Sequence, residues 1–150
     1  MEIRKTEPVN HFVVTDRLEL ATRGDAEVVD ITARVAAKVG EHRLREGQAL
    51  IFVTGSTAAL TTVEFEPGLA RDLPEFFERV APRNHPYHHE ETWHDGNGHS
   101  HVRASLLGPS LTVPVAKGEL LLGTWQQIVL IDFDNKPRRR RLVVQLSGVR

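Results

Sequence analysis

Six of the chain's eight histidines fall between His85 and His101, in the run "HPYHHEETWHDGNGHSH". Glu90, Glu91, Asp95 and Asn97 are interspersed with them. Imidazoles beside carboxylates and an amide suit three kinds of chemistry: metal coordination, proton transfer and phosphate binding. Structural histidines are a further reading. The chain has no cysteine, so any transition-metal site must use His, Asp, Glu or amide ligands. Asp95, Asn97, His99 and His101 occupy alternate positions. If His99 to Arg103 forms a strand, His99 and His101 point to one face, roughly 7 Å apart. At that separation two imidazoles can share one ion, whose bonds to nitrogen are ~2.0–2.1 Å long. Asp95 or Asn97 then approaches as an oxygen ligand or fixes an imidazole tautomer. His85, His88, His89 and His94 read as solvated loop residues, at most one or two of which join a site.

Other segments carry weaker signals. Gly55, Ser56 and Thr57 could offer backbone N–H groups and hydroxyls to an anion, although turn formers in a turn need no ligand. Glu64 ends a β-prone stretch, where a carboxylate could reach a cleft, and an exposed strand end is the plainer reading. In "KPRRRRLVV", Arg139 and Arg141 share one face of a strand and Arg138 and Arg140 the other. A guanidinium can grip phosphate bidentately, or the run forms a charged rim that blocks edge pairing. No aromatics are interleaved for base stacking. In "GTWQQIVLIDFD", Trp125, Gln126 and Gln127 lead into an apolar strand, so one glutamine should hydrogen-bond a ligand, a second chain or a neighbouring loop.

The surrounding pattern indicates the elements that position these groups. "HFVVTDRLELATRG" reads as extended, and Val28, Ile31, Val35 and Val39 recur at helical spacing, predicting a helix over about 26–39. Residues 48–66 read as strand, small-residue turn and strand. Leu69, Leu73, Phe76, Phe77 and Val80 form an amphipathic helix, with Pro74 expected to kink or restart it. The histidine-rich segment reads as loop. "HVRASLLG", "LTVPV", "GELLLGTWQQIVLIDFD" and "RRRLVVQLSG" then read as consecutive antiparallel strands, with "FDNKPR" as a hairpin turn. About eight strands and two or three helices imply one α+β domain over 1–150, built on a large antiparallel sheet or sandwich.

Composition bounds the function. The chain has 150 residues, 40% of them hydrophobic and 26% charged, with a formal net charge of −1. Such a chain buries a proper core and is not an electrostatic nucleic-acid binder. No apolar run approaches the ~20 residues of a membrane span, and the expected location is cytoplasmic.

Taken in order, "STAALT…E", "DGNGHSHVRASLLGPSLTVPV" and "GELLLGTWQQIVLIDFDNKPRRRRLVVQLSG" resemble the YjbQ-like family, also called the secondary thiamine-phosphate synthase family. The resemblance extends to "RGDAEVVDIT" and covers nearly the whole chain. It implies a compact α+β fold on antiparallel sheet, a homotrimer, and joining of a pyrimidine diphosphate to a thiazole phosphate with loss of pyrophosphate, an activity regarded as secondary. It places the family's histidine motif on His99 and His101, its Ala-Ala motif on Thr57 to Thr61, its acid on Glu64, and Gly-Thr-Trp-Gln on Gly123 to Gln126. Many members have His-Thr-Ser where this chain has Gly55-Ser56-Thr57, so a third metal ligand is expected from His89, His94 or Asp95.

The expectation is thus a pocket in which His99 and His101, with Asp95, hold a divalent ion (Zn, Mn, Ni or Mg). Arg139 or Arg141 and residues 55–57 contact a small phosphorylated molecule, Trp125 and Gln126 line the pocket, and Glu64 orients a water or an amine. Two histidines favour Zn²⁺, Mn²⁺ or Ni²⁺ over Mg²⁺. A metal-dependent hydrolase and a non-catalytic binding trimer are the alternatives.

Overall fold

The computed structural model describes residues 9–150, in which eight strands and four helices form. In chain order these are β1 (His11–Thr22), β2 (Glu27–Asp30), α1 (Thr32–Glu41), β3 (Glu46–Val53), β4 (Ala58–Val63) and α2 (Leu69–Val80). They continue with α3 (His89–Trp93), α4 (Gly98–Leu107), β5 (Ser110–Ala116), β6 (Glu119–Leu120), β7 (Gln127–Asp132) and β8 (Arg138–Val149). All pairings are antiparallel. One sheet runs β1-β8-β3-β5-β6 and the other β2-β7-β4, so the fold is α+β with two antiparallel sheets.

The two sheets face each other across the main core. Ala49, Ile51 and Val53 of β3 and Leu142, Val144 and Leu146 of β8 meet Leu60 of β4 and Ile128 and Leu130 of β7 there, and Val35 and Val39 of α1 close one end. The alternate residues of the small sheet, Ala59, Val129 and Ile131, face a second core with Phe77 of α2, Ala104 of α4 and Phe133. β7 is therefore buried on both faces, which explains its unbroken apolar run "IVLI".

Three expectations are corrected. The segment from Glu27 to Asp30 is not helical but pairs with β7 from Asp132 to Val129. Val28 packs on the second core and Val29 on the first, in the period-two manner of a strand. The helix begins only at Thr32, whose backbone N–H and hydroxyl both donate to Asp30 Oδ1. Second, His99 to Arg103 is helix, not strand, because "GHSHVRASLL" forms α4 against β4. Third, "FDNKPR" is not a hairpin: β7 lies in the three-stranded sheet and β8 in the five-stranded one, so this loop crosses between layers. α2 runs unbroken through Pro74.

Candidate functional site

On a helix, residues two apart diverge by about 200°. The pairing of His99 with His101 on one face therefore fails, and each histidine takes different company.

His101 turns toward α3. Its ring lies 4.4 Å from that of His89, centroid to centroid. His89 Nε2 is buried and without a hydrogen-bond partner, and Asp95 Oδ1 lies 3.4 Å from it. His89, Glu90 and Asp95 present ligand atoms within 4.8 Å of one another. Glu90 is already engaged: its two oxygens accept the backbone N–H groups of Gly96 (2.6 Å) and Gly98 (2.8 Å). It staples the loop, leaving His89 and Asp95 as the open donors of that group; His101 lies outside it, its ring packed on that of His89 as a third, farther nitrogen donor. The loop turns tightly enough because His94 and Gly96 take positive φ (52° and 70°). Burial, then the neighbouring His89, pushes the His101 imidazole below its ordinary pKa, while Asp95, Asp134 and Glu90 pull it back. It is neutral at neutral pH, the form that binds metal.

His99 is 2% exposed and faces the C-terminal end of α2. Its ring is 6.5 Å from that of Tyr87. Burial, aided by Arg103 and Arg83, lowers its pKa. Ser100 Oγ donates to Phe133 O at 2.5 Å, so it can only accept from His99 Nε2 at 3.4 Å. Nδ1 of His99 is buried and has no hydrogen-bond partner. His99 also helps wall an open cavity of about 360 Å³ with Arg83, His85, Tyr87 and Glu90.

Beneath the His101 cluster lies a buried acid–base layer. Asp132 and Asp134 are both fully buried. Arg140 grips Asp132 bidentately (2.6 and 2.7 Å) and donates to Thr57 Oγ1 (2.7 Å). Arg138 donates to Asp134 (2.6 Å), which also accepts from Thr57 Oγ1 (3.0 Å) and Asn97 Nδ2 (3.4 Å). Asn135 Nδ2 donates to the Asp95 carbonyl (2.8 Å). Asp134 and Asn135 thus anchor both ends of the 95–97 loop. Gly55 sits beside this layer: a Cβ there would meet Arg140 Nη1 at 3.1 Å.

The other expected residues are dispersed. Arg139 and Arg141 point outward and pair with Glu19 on the exposed face of β1, away from Thr57; the inward pair is Arg138 and Arg140. The reason lies in strand alternation, since Leu142, Val144 and Leu146 face the core and Arg140 shares their parity. Gly55 and Ser56 are exposed and Thr57 is buried, all near Arg140. Glu64, Trp125 and Gln126 lie at the far end of the β4–β7 ladder, where Val63 pairs with Gln127. Six residues of strand, roughly 20 Å, separate that end from Thr57. There Gln126 Nε2 donates to Thr62 (3.0 Å), Gln127 Oε1 accepts from Phe65 N (2.9 Å), and Glu64 is exposed. Gln127 takes the neighbouring-loop option, through Phe65, while Gln126 bonds strand β4.

Sequence reasoning passed over Asp132, Asp134, Arg138 and Arg140. The signal was the complementary i, i+2 spacing of "DFD" and of alternate arginines in "RRRR", once the apolar parity of β8 is extended backward.

The family model described as UPF0047 protein YjbQ-like matches residues 16–149. A UPF0047 protein of Archaeoglobus fulgidus is 41% identical over 128 residues, covering 85% of this chain and 97% of that protein. YugU of Bacillus subtilis is 35% identical, covering 87% and 97%. Among solved structures, a YbjQ-like protein of unknown function from Sulfolobus solfataricus superposes with a TM-score of 0.88 at 33% identity, covering 93% of this chain and 99% of that one. With matches of this extent in both sequence and structure, the chain belongs to the UPF0047, YjbQ-like, family.

Proposed function

We propose that the chain binds a divalent metal ion through His89, His101 and Asp95 and acts on a small phosphorylated molecule. The observation that carries this reading is the orphaned His89 Nε2, buried beside a second imidazole and 3.4 Å from a carboxylate. A buried nitrogen without a partner is costly, and an ion bridging it to Asp95 removes that cost. Two imidazoles and one carboxylate suit Zn²⁺, Mn²⁺ or Ni²⁺. Bound there, the metal would supply Lewis acidity toward a phosphate oxygen or a water. The chain's own residues hold the ligands in register: Glu90 staples the loop, Asn97 ties it to Asp134, and Asn135 holds the Asp95 carbonyl. Thiamine-phosphate synthesis, implied by the family resemblance, is one reaction to assay. Phosphate-ester hydrolysis is the second, and the nitrogen-rich donor set favours it, since such sites activate water.

The test begins with elemental analysis of untagged protein. A stoichiometric transition metal, lost in His89→Ala and in His101→Ala but kept in His88→Ala, is the expected result. Metal-free protein that also fails to take up Zn²⁺, Mn²⁺ or Ni²⁺ by calorimetry overturns the reading. Both assays on the loaded protein then separate synthase from hydrolase, and binding without turnover leaves the non-catalytic alternative.

We further propose a homotrimer. Val102, Leu106, Leu121 and Trp125 are 42%, 61%, 57% and 72% exposed, large apolar side chains that a subunit interface would cover. Light scattering that gives a monomer mass at micromolar concentration would rule it out.

A further inference from the structure

The structure assigns a second, unrelated site: an organic diphosphate or phosphate ester binds in a basic cavity at the opposite end of β8. This cavity, of about 500 Å³, is lined by Val39, Gly40, Arg43, Leu44, Arg45, Lys117, Gly118 and Arg150. β8 carries the buried aspartate partners at its Arg138 end and reaches this cavity at Val149, so roughly 35 Å of strand separates the two.

Four of the eight lining residues are cationic and none is acidic, in a chain whose net charge is −1. None of the four has a carboxylate within ion-pair distance among the described residues, whereas Arg138, Arg139, Arg140 and Arg141 all do. Glu46, the acid at the start of β3, turns its carboxylate to the backbone N–H of Lys117 (2.9 Å), not to the ammonium. Arg150 is held in place: its guanidinium stacks 4.4 Å from the Phe12 ring centroid, and its Nε donates to the His42 carbonyl (3.1 Å). Arg45 is anchored through its backbone N–H to Val149 O (2.8 Å). The floor between the charges is apolar, from Val39 and Leu44, both 1% exposed.

The backbone adds an independent observation. Arg43 and Lys117 have φ of +55° and +53°, the left-handed region where a Cβ is unfavourable and glycine is the ordinary choice. Arg43 follows α1 where a helix usually places a left-handed glycine. Lys117 and Gly118 (φ +83°) form the two-residue turn between β5 and β6, whose first position is usually Asn, Asp or Gly. At both corners of one cavity, a cationic side chain stands where glycine would be more stable. A cation just past the C-terminus of α1 is partly favoured by the helix dipole, but Lys117 in the β5–β6 turn has no such offset. Together they add one guanidinium and one ammonium group to the cavity that Arg45 and Arg150 also line, which suits two adjoining phosphates, with an apolar body beside Val39 and Leu44.

The test uses the full chain in EDTA, which keeps the proposed metal site out of the measurement. Calorimetric titration compares adenosine diphosphate, pyrophosphate and adenosine. Saturable binding of the diphosphate, weaker binding of pyrophosphate, no binding of adenosine, and weakening with added salt are expected. In the double variant Arg43→Gly, Lys117→Gly, binding should fall by more than about tenfold, since each lost contact is a hydrogen bond to a charged group. The same variant should melt at or above the wild-type temperature, because both changes relieve backbone strain. His89→Ala should bind as wild type. Absence of saturable binding to either diphosphate, unchanged affinity in the double variant, or loss of binding in His89→Ala each overturns the assignment. Pyrophosphate binding as tightly as adenosine diphosphate removes the apolar floor from it.

Discussion

The two ends of β8 handle charge in opposite ways. At the Arg138 end, two guanidiniums meet two fully buried carboxylates, and hydroxyls of Thr22 and Thr57 fill remaining positions. At the Val149 end, four cations line a cavity with no acid among its described lining residues. Both ends belong to one strand and pair with β1, while only the Val149 end also pairs with β3, so the same strand serves two different purposes. The paired end fixes geometry: it immobilises the loop that bears Asp95. The unpaired end retains electrostatic potential for something outside the chain. A buried, mutually satisfied charge network is a scaffold, whereas a half-open set of like charges is a receptor.

Breaking the paired end has the largest expected effect. Asp132→Ala leaves Arg140 buried without its carboxylate and should cost about 3–5 kcal/mol in urea unfolding. A loss below 1 kcal/mol would mean that Arg140 swings to solvent and that the layer is not rigid. Next, Asn135→Ala removes the tie to the Asp95 carbonyl while leaving all three donors in place. Metal affinity should fall about 10–100-fold with little change in melting temperature. Unchanged affinity would show that Glu90 alone positions the loop.

The third prediction concerns pH. Burial pushes the Asp134 carboxyl up, but Arg138, the Asn135 N–H and Thr57 together hold it below its ordinary value. A carboxyl lowered by folding contributes stability that is complete above its unfolded pKa of about 3.9 and is lost as pH falls through its folded value. Stability of the wild type should therefore begin to drop as pH falls below about 5 and keep dropping below about 3.9, and Asp134→Asn should flatten that drop. Parallel profiles would remove Asp134 from the account. The smallest effect belongs to the outward arginines: Arg139→Ala or Arg141→Ala breaks only an exposed pair with Glu19 and should cost under about 1 kcal/mol.

Much of the fold was legible because burial writes simple periods. α2 spans Leu69–Val80, where its apolar residues suggested, and β3, β4 and β7 follow their β-branched runs. The failures have a common cause. α4 is weakly amphipathic in sequence, because three of its five buried residues, His99, Ser100 and Arg103, are polar, beside the small Gly98 and Ala104. Periodicity that tracks hydrophobicity cannot see a helix whose inward face is polar. The same blindness hid Arg140, which lies at an inward position of β8 with a charge instead of a methyl group. His89 was undervalued for another reason: its partner His101 comes from a different helix, and only the turn through Gly96 brings them together.

The pairing of β1 with β8 has a consequence for how the chain is made. His11 pairs with Val149 and Thr22 with Arg138, so the longest ladder joins segments at opposite ends of the described chain. Contacts this distant in sequence form slowly, since a long loop must close before they contribute. During synthesis β1 leaves the ribosome early and waits for β8; at ~5–20 residues per second the delay is roughly 6–25 s. β3 waits as well, because its other neighbour, β5, also follows it. For that interval the nascent chain exposes strand edges that could recruit a neighbouring nascent chain. The alternating charges of β1, with Asp16, Arg17 and Glu19 in succession, make those edges poor templates for such pairing.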